Sequence, residues 1–168
     1  MPSYAIIIPA AALCLLPACA AVVLLRLRKA LRTVGPAIEK FSGKIRLQFI
    51  GVILASPLLV SLLFIRSFDP LSTFAIAGTG VIGFYIACQD LFFSRYCGVY
   101  ARGIVWNGSW IEFVSVESWR RLDPYSLSLL LTGREKRIFA FPDSALLDRV
   151  SAVLARLMPP EEYTDGLS

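Results

Sequence analysis

The segment Tyr4–Leu25 reads YAIIIPAAALCLLPACAAVVLL and contains no charged residue. Two further apolar segments follow, Leu47–Ile65 (LQFIGVILASPLLVSLLFI) and Leu71–Phe93 (LSTFAIAGTGVIGFYIACQDLFF). As a helix, even the middle segment is roughly 28 Å long, which is close to the hydrocarbon thickness of a bilayer. A small soluble domain could not bury three helices that are apolar on all sides. The sequence therefore predicts three transmembrane helices, over residues 4–25, 47–65 and 71–93.

The composition agrees with a membrane protein that carries one small soluble domain. Of the 168 residues, 57% are hydrophobic and 17% are charged, whereas soluble domains contain about 25% charged residues. We expect a membrane domain over residues 1–93, a soluble domain over residues 94–160, and a disordered tail over residues 161–168.

The net charge of +5 comes from the segment between the first two predicted spans. This basic loop, residues 26–46, has one acidic residue, Glu39, and seven basic ones: Arg26, Arg28, Lys29, Arg32, Lys40, Lys44 and Arg46. Short loops rich in Lys and Arg remain on the cytoplasmic side of the membrane. The sequence thus predicts a multi-pass protein of the bacterial cytoplasmic (inner) membrane. Its N-terminus would lie outside, and both the basic loop and the C-terminus in the cytoplasm.

The basic loop also predicts contact with lipid. Its apolar residues recur at helical spacing over Leu27–Val34 and Ile38–Ile45, with Gly35-Pro36 between the two stretches. Two short amphipathic helices on the anionic inner leaflet would satisfy this pattern, and each cation there contributes about 1 kcal/mol. The seven cations are therefore candidate lipid-headgroup contacts; the alternative is that they only determine topology. Acidic and basic residues balance from residue 94 onwards, so no nucleic-acid partner is predicted.

The third span contains small residues at helix-packing positions. Residues 78–83 match the dinucleotide fingerprint G-x-G-x-x-G, but they lie within an apolar span and not between a strand and a helix. We interpret Gly80, Gly83 and Ala87 as candidate helix-packing residues. The contact they make could lie within one chain or between the copies of a homo-oligomer.

After Phe93 the sequence changes to short β-type segments that end in a helix. Asn107-Gly108 and Asp123-Pro124 are turn sequences. The predicted strands are Gly98–Trp106, Trp110–Val116, Glu117–Leu122, Tyr125–Thr132 and Arg137–Phe141. A helix is predicted over residues 143–157, with Asp143 or Ser144 as its cap.

This soluble region resembles a known family. The residues Gly98-Val99-Tyr100-Ala101-Arg102-Gly103-Ile104, then Trp110-Ile111-Glu112-Phe113, Val116 and Trp119, are similar to a short PH-like domain of unknown function found in small bacterial membrane proteins. The resemblance covers about 45 residues. It implies a curved antiparallel sheet closed by one C-terminal helix on the cytoplasmic face, and it implies no enzymatic activity.

The soluble domain is rich in aromatic residues that can serve as core or as a contact surface. These candidate β-domain core or contact residues are Trp106, Trp110, Phe113, Trp119 and Phe139. An exposed sheet edge that accepts a peptide strand is the most specific binding hypothesis for such a domain.

The sequence offers no catalytic machinery. It contains no histidine, no paired acids and no metal-ligand spacing, so we predict no enzyme, no metal site and no cofactor. The predicted function is a membrane-tethered interaction or scaffold module. Its expected partners are membrane lipids and a protein that binds the cytosolic β-domain. The alternative is a small oligomeric transport or channel subunit packed through the third span.

The charge distribution leads to a topology prediction. A reporter fused after Ser168 should be active only if it is a cytoplasmic reporter, because the basic loop holds that side of the chain in the cytoplasm. Activity of a periplasmic reporter at the same position would contradict the orientation.

Overall fold

The chain divides into two compact units. A computed structural model describes residues 3–41, 47–66, 68–106, 108–141 and 143–158. The helical unit comprises residues 1–32, 42–97 and 106–109, and the β-unit comprises residues 33–41, 98–105 and 110–168. Four predicted features lie outside the described residues: Lys44, Arg46, the turn residue Asn107 and the tail 161–168.

The helical unit contains three long apolar helices: α1 (Tyr4–Val34), α2 (Leu47–Ile65) and α3 (Pro70–Ser94). Each of them is long and apolar enough to cross a membrane. The prediction of three such helices is confirmed, and it is the pattern of a multi-pass membrane protein.

The first helix is longer than the sequence predicted. It continues past Leu25 to Val34, so residues 26–34 of the expected basic loop are helical and do not form a separate surface helix. The physical reason is a stripe of buried residues that continues at helical spacing through the basic region, namely Val23, Leu27, Ala30 and Val34. Gly35 then ends the helix with a φ of 80°, and Pro36 cannot extend it.

Helices α2 and α3 pack closely where a glycine faces a valine. A Cβ atom added at Gly80 would lie 2.9 Å from Cγ2 of Val60, and Val60 is fully buried. A Cβ atom added at Gly83 would make an ordinary van der Waals contact, 3.6 Å from Cγ1 of Val52. A Cβ atom added at Gly78 would have no neighbouring atom within 4 Å. Gly80 therefore determines how near the two helices approach.

The third helix begins with a capped turn. The side chain of Asp69 accepts a hydrogen bond from the backbone N–H of Ser72 at 3.0 Å, and Pro70 occupies the first helical position. Hydrogen bonds from the Ser72 side chain and backbone lower the pKa of Asp69 below its ordinary value. The carboxylate is thus held in the charged form that caps a helix best.

The β-unit begins with a strand that the sequence pattern does not predict. Its first sheet has the order β1-β2-β3-β4, with β1 (Ala37–Lys40), β2 (Gly98–Tyr100), β3 (Gly103–Trp106) and β4 (Ser109–Glu112). Strand β1 lies where the second amphipathic helix was expected, and it pairs antiparallel with β2. The predicted strand Gly98–Trp106 is in fact a hairpin, β2 and β3, that turns at Ala101-Arg102.

The second sheet matches the sequence prediction more closely. Strands β5 (Val116–Asp123), β6 (Ser126–Leu131) and β7 (Glu135–Ala140) pair antiparallel in chain order, and α4 (Ser144–Leu157) follows. A short 3₁₀ turn, Phe113–Ser115, separates β4 from β5, so the predicted strand Trp110–Val116 is interrupted. The single curved sheet expected from the resemblance is replaced by two small sheets, one of four strands and one of three.

The core of the β-unit joins its separate chain segments. The ring of Phe41, directly after β1, meets the ring of Phe141 edge to face, with centroids 6.1 Å apart. The apolar face of α4 is buried as well, through Leu147, Val150 and Leu154. Because Phe41 is buried here, residues 37–40 pair as a strand and do not follow their helical periodicity.

Gly80 and Gly78 form a matched pair for testing the α2–α3 contact. Gly80→Leu should lower the stability of the full chain in detergent by about 1–3 kcal/mol, because the larger side chain must displace Val60. Gly78→Leu is the control, since that position is open. Equal melting temperatures for the two variants in a thermal unfolding experiment would contradict the predicted contact.

Candidate functional site

Four of the predicted lipid-contact cations lie on the last turns of α1. Arg26, Arg28, Lys29 and Arg32 are exposed there, and Lys40 is exposed at the end of β1. The guanidinium Nη1 of Arg26 donates a hydrogen bond to the hydroxyl of Tyr85 on α3, at 2.6 Å. The four cations on α1 therefore lie on a helix whose earlier part is apolar. Long Arg and Lys side chains in such a position can extend their charged ends to a polar surface.

A polar contact in the helical unit was not recognised from the sequence. Nε2 of Gln89, near the end of α3, donates to the carbonyl oxygen of Gly108 at 3.1 Å. Gly108 follows β3, and its backbone approaches Gln89 so closely that a Cβ there would lie 2.3 Å from Nε2. The available signal was a lone amide at the end of an apolar helix, which needs a hydrogen-bond partner when it is partly buried.

The five aromatic candidates separate into two groups. Trp119 and Phe139 are buried, whereas Trp106, Trp110 and Phe113 are half-buried. Nε1 of Trp119 donates to the carbonyl oxygen of Met158 at 3.0 Å, just beyond the end of α4. Trp119 thus belongs to the core and attaches the end of the last helix to β5.

The three-stranded sheet has two chemically different faces. Trp119, Leu129 and Phe139 lie on one face and are buried. On that face Arg121 forms an ion pair with Asp148 of α4, with 2.5 Å between Nη1 of Arg121 and Oδ1 of Asp148. We call this the inward face, because α4 contacts it through Asp148 and Met158.

The opposite, outward face carries polar and basic side chains. The residues at its register positions are Ser118, Arg120 and Asp123 on β5, Ser126, Ser128 and Leu130 on β6, and Lys136, Ile138 and Ala140 on β7. Among these, Arg120, Asp123, Lys136, Ile138 and Ala140 are exposed. The outward face is thus solvent-facing at both outer strands of the sheet.

Strand β7 is the last strand of its sheet and is exposed. Five of its six residues are exposed, and Ile138 is 60% exposed. An end strand presents backbone N–H and C=O groups that have no neighbouring strand on one side. Such an edge can pair with another extended chain.

The turn between β5 and β6 is held by Asp123. Its carboxylate accepts hydrogen bonds from the backbone N–H of Tyr125 at 2.7 Å and from the hydroxyl of Ser126 at 2.5 Å. These bonds, the Ser126 hydroxyl first, lower the pKa of Asp123 below its ordinary value. The turn therefore positions β5 and β6 in the register that creates the two faces.

No family model, curated protein or solved structure matches this sequence. Functional inference therefore depends on the chain's own geometry. The exposed edge of β7 and the outward face beside it are the candidate site.

Trp119 and Trp110 allow a test of the inward-face contact. Trp119→Phe should destabilise the full chain by about 1–3 kcal/mol, because it removes the hydrogen bond to Met158 and leaves a cavity. Trp110→Phe is the control, since Trp110 is half-buried and its indole has no hydrogen bond among the described residues. Calorimetric unfolding would measure both, and a larger loss for Trp110→Phe would contradict this assignment.

Proposed function

We propose that this protein is a membrane-tethered interaction module of the bacterial inner membrane. Its three apolar helices would anchor the chain, and its β-unit, a PH-like domain, would bind a partner protein in the cytoplasm. The exposed β7 edge carries this proposal, because an uncovered end strand is a preformed site for an extended peptide.

The pairing of β1 with β2 supports the proposed topology. Strand β1 precedes α2 and α3 in the chain, and β2 follows them. Two strands that share hydrogen bonds must lie on the same side of a membrane, so the chain between them crosses an even number of times. Crossing by both α2 and α3 satisfies this condition, and the cations on α1 favour the cytoplasm for that side.

The strand arrangement supports a PH-like fold. The β-unit has four strands in one antiparallel sheet, three in a second, and one helix at the C-terminal end. Antiparallel strands followed by one C-terminal helix agree with what the resemblance implies, although it implies a single curved sheet and the strands here form two. A likeness at this level indicates an architecture and no particular ligand.

The alternative of a channel or transport subunit has less support. It requires Gly80 on α3 to lie at an axis between copies of the chain. Gly80 instead packs against Val60 of its own chain. The cations on α1 fit the proposed tether, since each cation near an anionic leaflet contributes about 1 kcal/mol to membrane attachment.

Photo-crosslinking tests strand addition in the full-length protein in its native membrane. A photoreactive residue placed at Ile138, and separately at Ala140, should give adducts with the same partner protein. Because strand pairing has a fixed register, moving the photoreactive residue by two positions should move the crosslinked residue of the partner by two.

The matched control places the same photoreactive residue at Arg156, which is exposed on α4. It should give no adduct with that partner. Adducts from Ile138 and Ala140 with unrelated partner residues, or no adduct from either position, would contradict strand addition.

A further inference from the structure

The outward face of the three-stranded sheet contains a small pocket. Its volume is about 170 Å³, which leaves room for several water molecules. The pocket is lined by Ser118, Arg120, Ser128, Leu130 and Lys136 of the outward face, and by Trp119, which lies between Ser118 and Arg120 on β5. All three strands contribute to it, so the register of the sheet determines its shape.

Two basic side chains reach this pocket from opposite outer strands. Arg120 is opposite Ser128 in the ladder, and Lys136 is opposite Leu130, the neighbour of Ser128 on the same face. Neighbouring strands lie about 4.8 Å apart, so the two Cα atoms are separated by roughly 12 Å across the sheet. Side chains of this length can therefore converge above the serine between them.

These two cations differ from the other cations of the sheet in having no partner among the described residues. Arg121 is paired with Asp148, and Arg137 with Glu135. The side chains of Arg120 and Lys136 form no ion pair or hydrogen bond within the part of the chain that the structure describes. An acidic residue at the outward register positions, Asp123, is opposite Ser126 at the turn, where its carboxylate accepts hydrogen bonds from Tyr125 and Ser126. None of the residues that line the pocket is acidic, so the positive charge of Arg120 and Lys136 is not compensated within the lining.

A hydroxyl group at the pocket also lacks a partner. Oγ of Ser118 is buried and makes no hydrogen bond among the described residues. By contrast, the hydroxyl of Ser126 on the same face is bound by Asp123. Buried polar groups almost always have a partner, and a serine hydroxyl can turn about χ1 to reach one. A bound ligand would supply this missing acceptor.

We propose that the pocket binds a phosphate group. Arginine presents a planar fork that matches two phosphate oxygens, and lysine adds a point charge. The hydroxyls of Ser118 and Ser128 can donate to the remaining oxygens. The phosphate of a phospholipid headgroup and a soluble phosphate share this chemistry. Acidic and basic residues balance from residue 94 onwards, so the binding depends on where two cations lie and not on an overall positive field.

The test measures phosphate binding by the full-length protein in nanodiscs of zwitterionic lipid. In one arm, inorganic phosphate is titrated and its binding to the protein is measured. In the other arm, vesicles with and without anionic phospholipid are added, and co-sedimentation of the protein with the vesicles is measured. Arg120→Gln with Lys136→Gln should weaken the observed binding at least about tenfold, since two charge-assisted contacts are lost.

The charge-matched control is Arg137→Gln with Arg156→Gln. These residues are exposed cations of the same unit and do not line the pocket. This control should bind as the unaltered chain does, which separates a specific site from general positive charge.

Ser118→Ala is the second test variant. It should weaken phosphate binding about threefold or more while leaving the melting temperature unchanged or higher, because an unpartnered buried hydroxyl is removed. A purely structural role for Ser118 would instead lower the melting temperature without affecting binding.

Each outcome decides the proposal. Saturable phosphate binding that depends on Arg120 and Lys136 supports a soluble ligand, and recruitment to anionic vesicles alone with the same dependence supports a lipid headgroup. Absence of both, or equal loss in the control variant, overturns it. The site does not depend on strand addition at β7, and no partner protein enters this experiment, so the two proposals can fail separately.

Discussion

The pairing of β1 with β2 is the constraint on which the rest of this structure depends. It joins Glu39 to Val99 across the whole of α2 and α3, so the four-stranded sheet needs segments from before and after both apolar helices. The segment that follows α1 therefore forms a strand, β1. The β-unit is for this reason not a simple C-terminal appendage, because a segment before α2 completes its first sheet.

The positions of the charged residues, and not the net charge, distinguish the surfaces of this chain. The basic residues between positions 26 and 46 carry the net excess, whereas acidic and basic residues balance from residue 94 onwards. Within that balanced region, Arg121 and Arg137 lie beside acids, and Arg120 and Lys136 do not. Alternation along the strands separates these two sets, since successive side chains point to opposite faces of a sheet. A domain without net positive charge can therefore present two cations without acidic partners on one face.

Two contacts in this structure each depend on a single atom or group. One is the close approach of α2 and α3, and the other is the attachment of α4 to β5. Gly80 admits Val60 because it has no Cβ, and the indole N–H of Trp119 finds a carbonyl at the end of the last helix. Both residue types are recognisable in the sequence. Their partners are not, because the partners come from distant parts of the chain.

The three apolar helices, the β5–β6 pairing and α4 could be predicted from the sequence, because apolar length, strand alternation and capping residues are local signals. The end of α1 and strand β1 could not. The sequence predicts a loop over residues 26–46 with a separate surface helix over Leu27–Val34, whereas the buried stripe through Val34 makes these residues a continuation of α1. Residues 37–41 have a helical period, yet burial of Phe41 against Phe141 and pairing with β2 outweigh it.

The phosphate pocket also required the tertiary structure, since only the register brings Arg120, Ser128 and Lys136 to one face. Local preferences are encoded within a few residues, whereas long-range pairing selects among them by the contacts it buries.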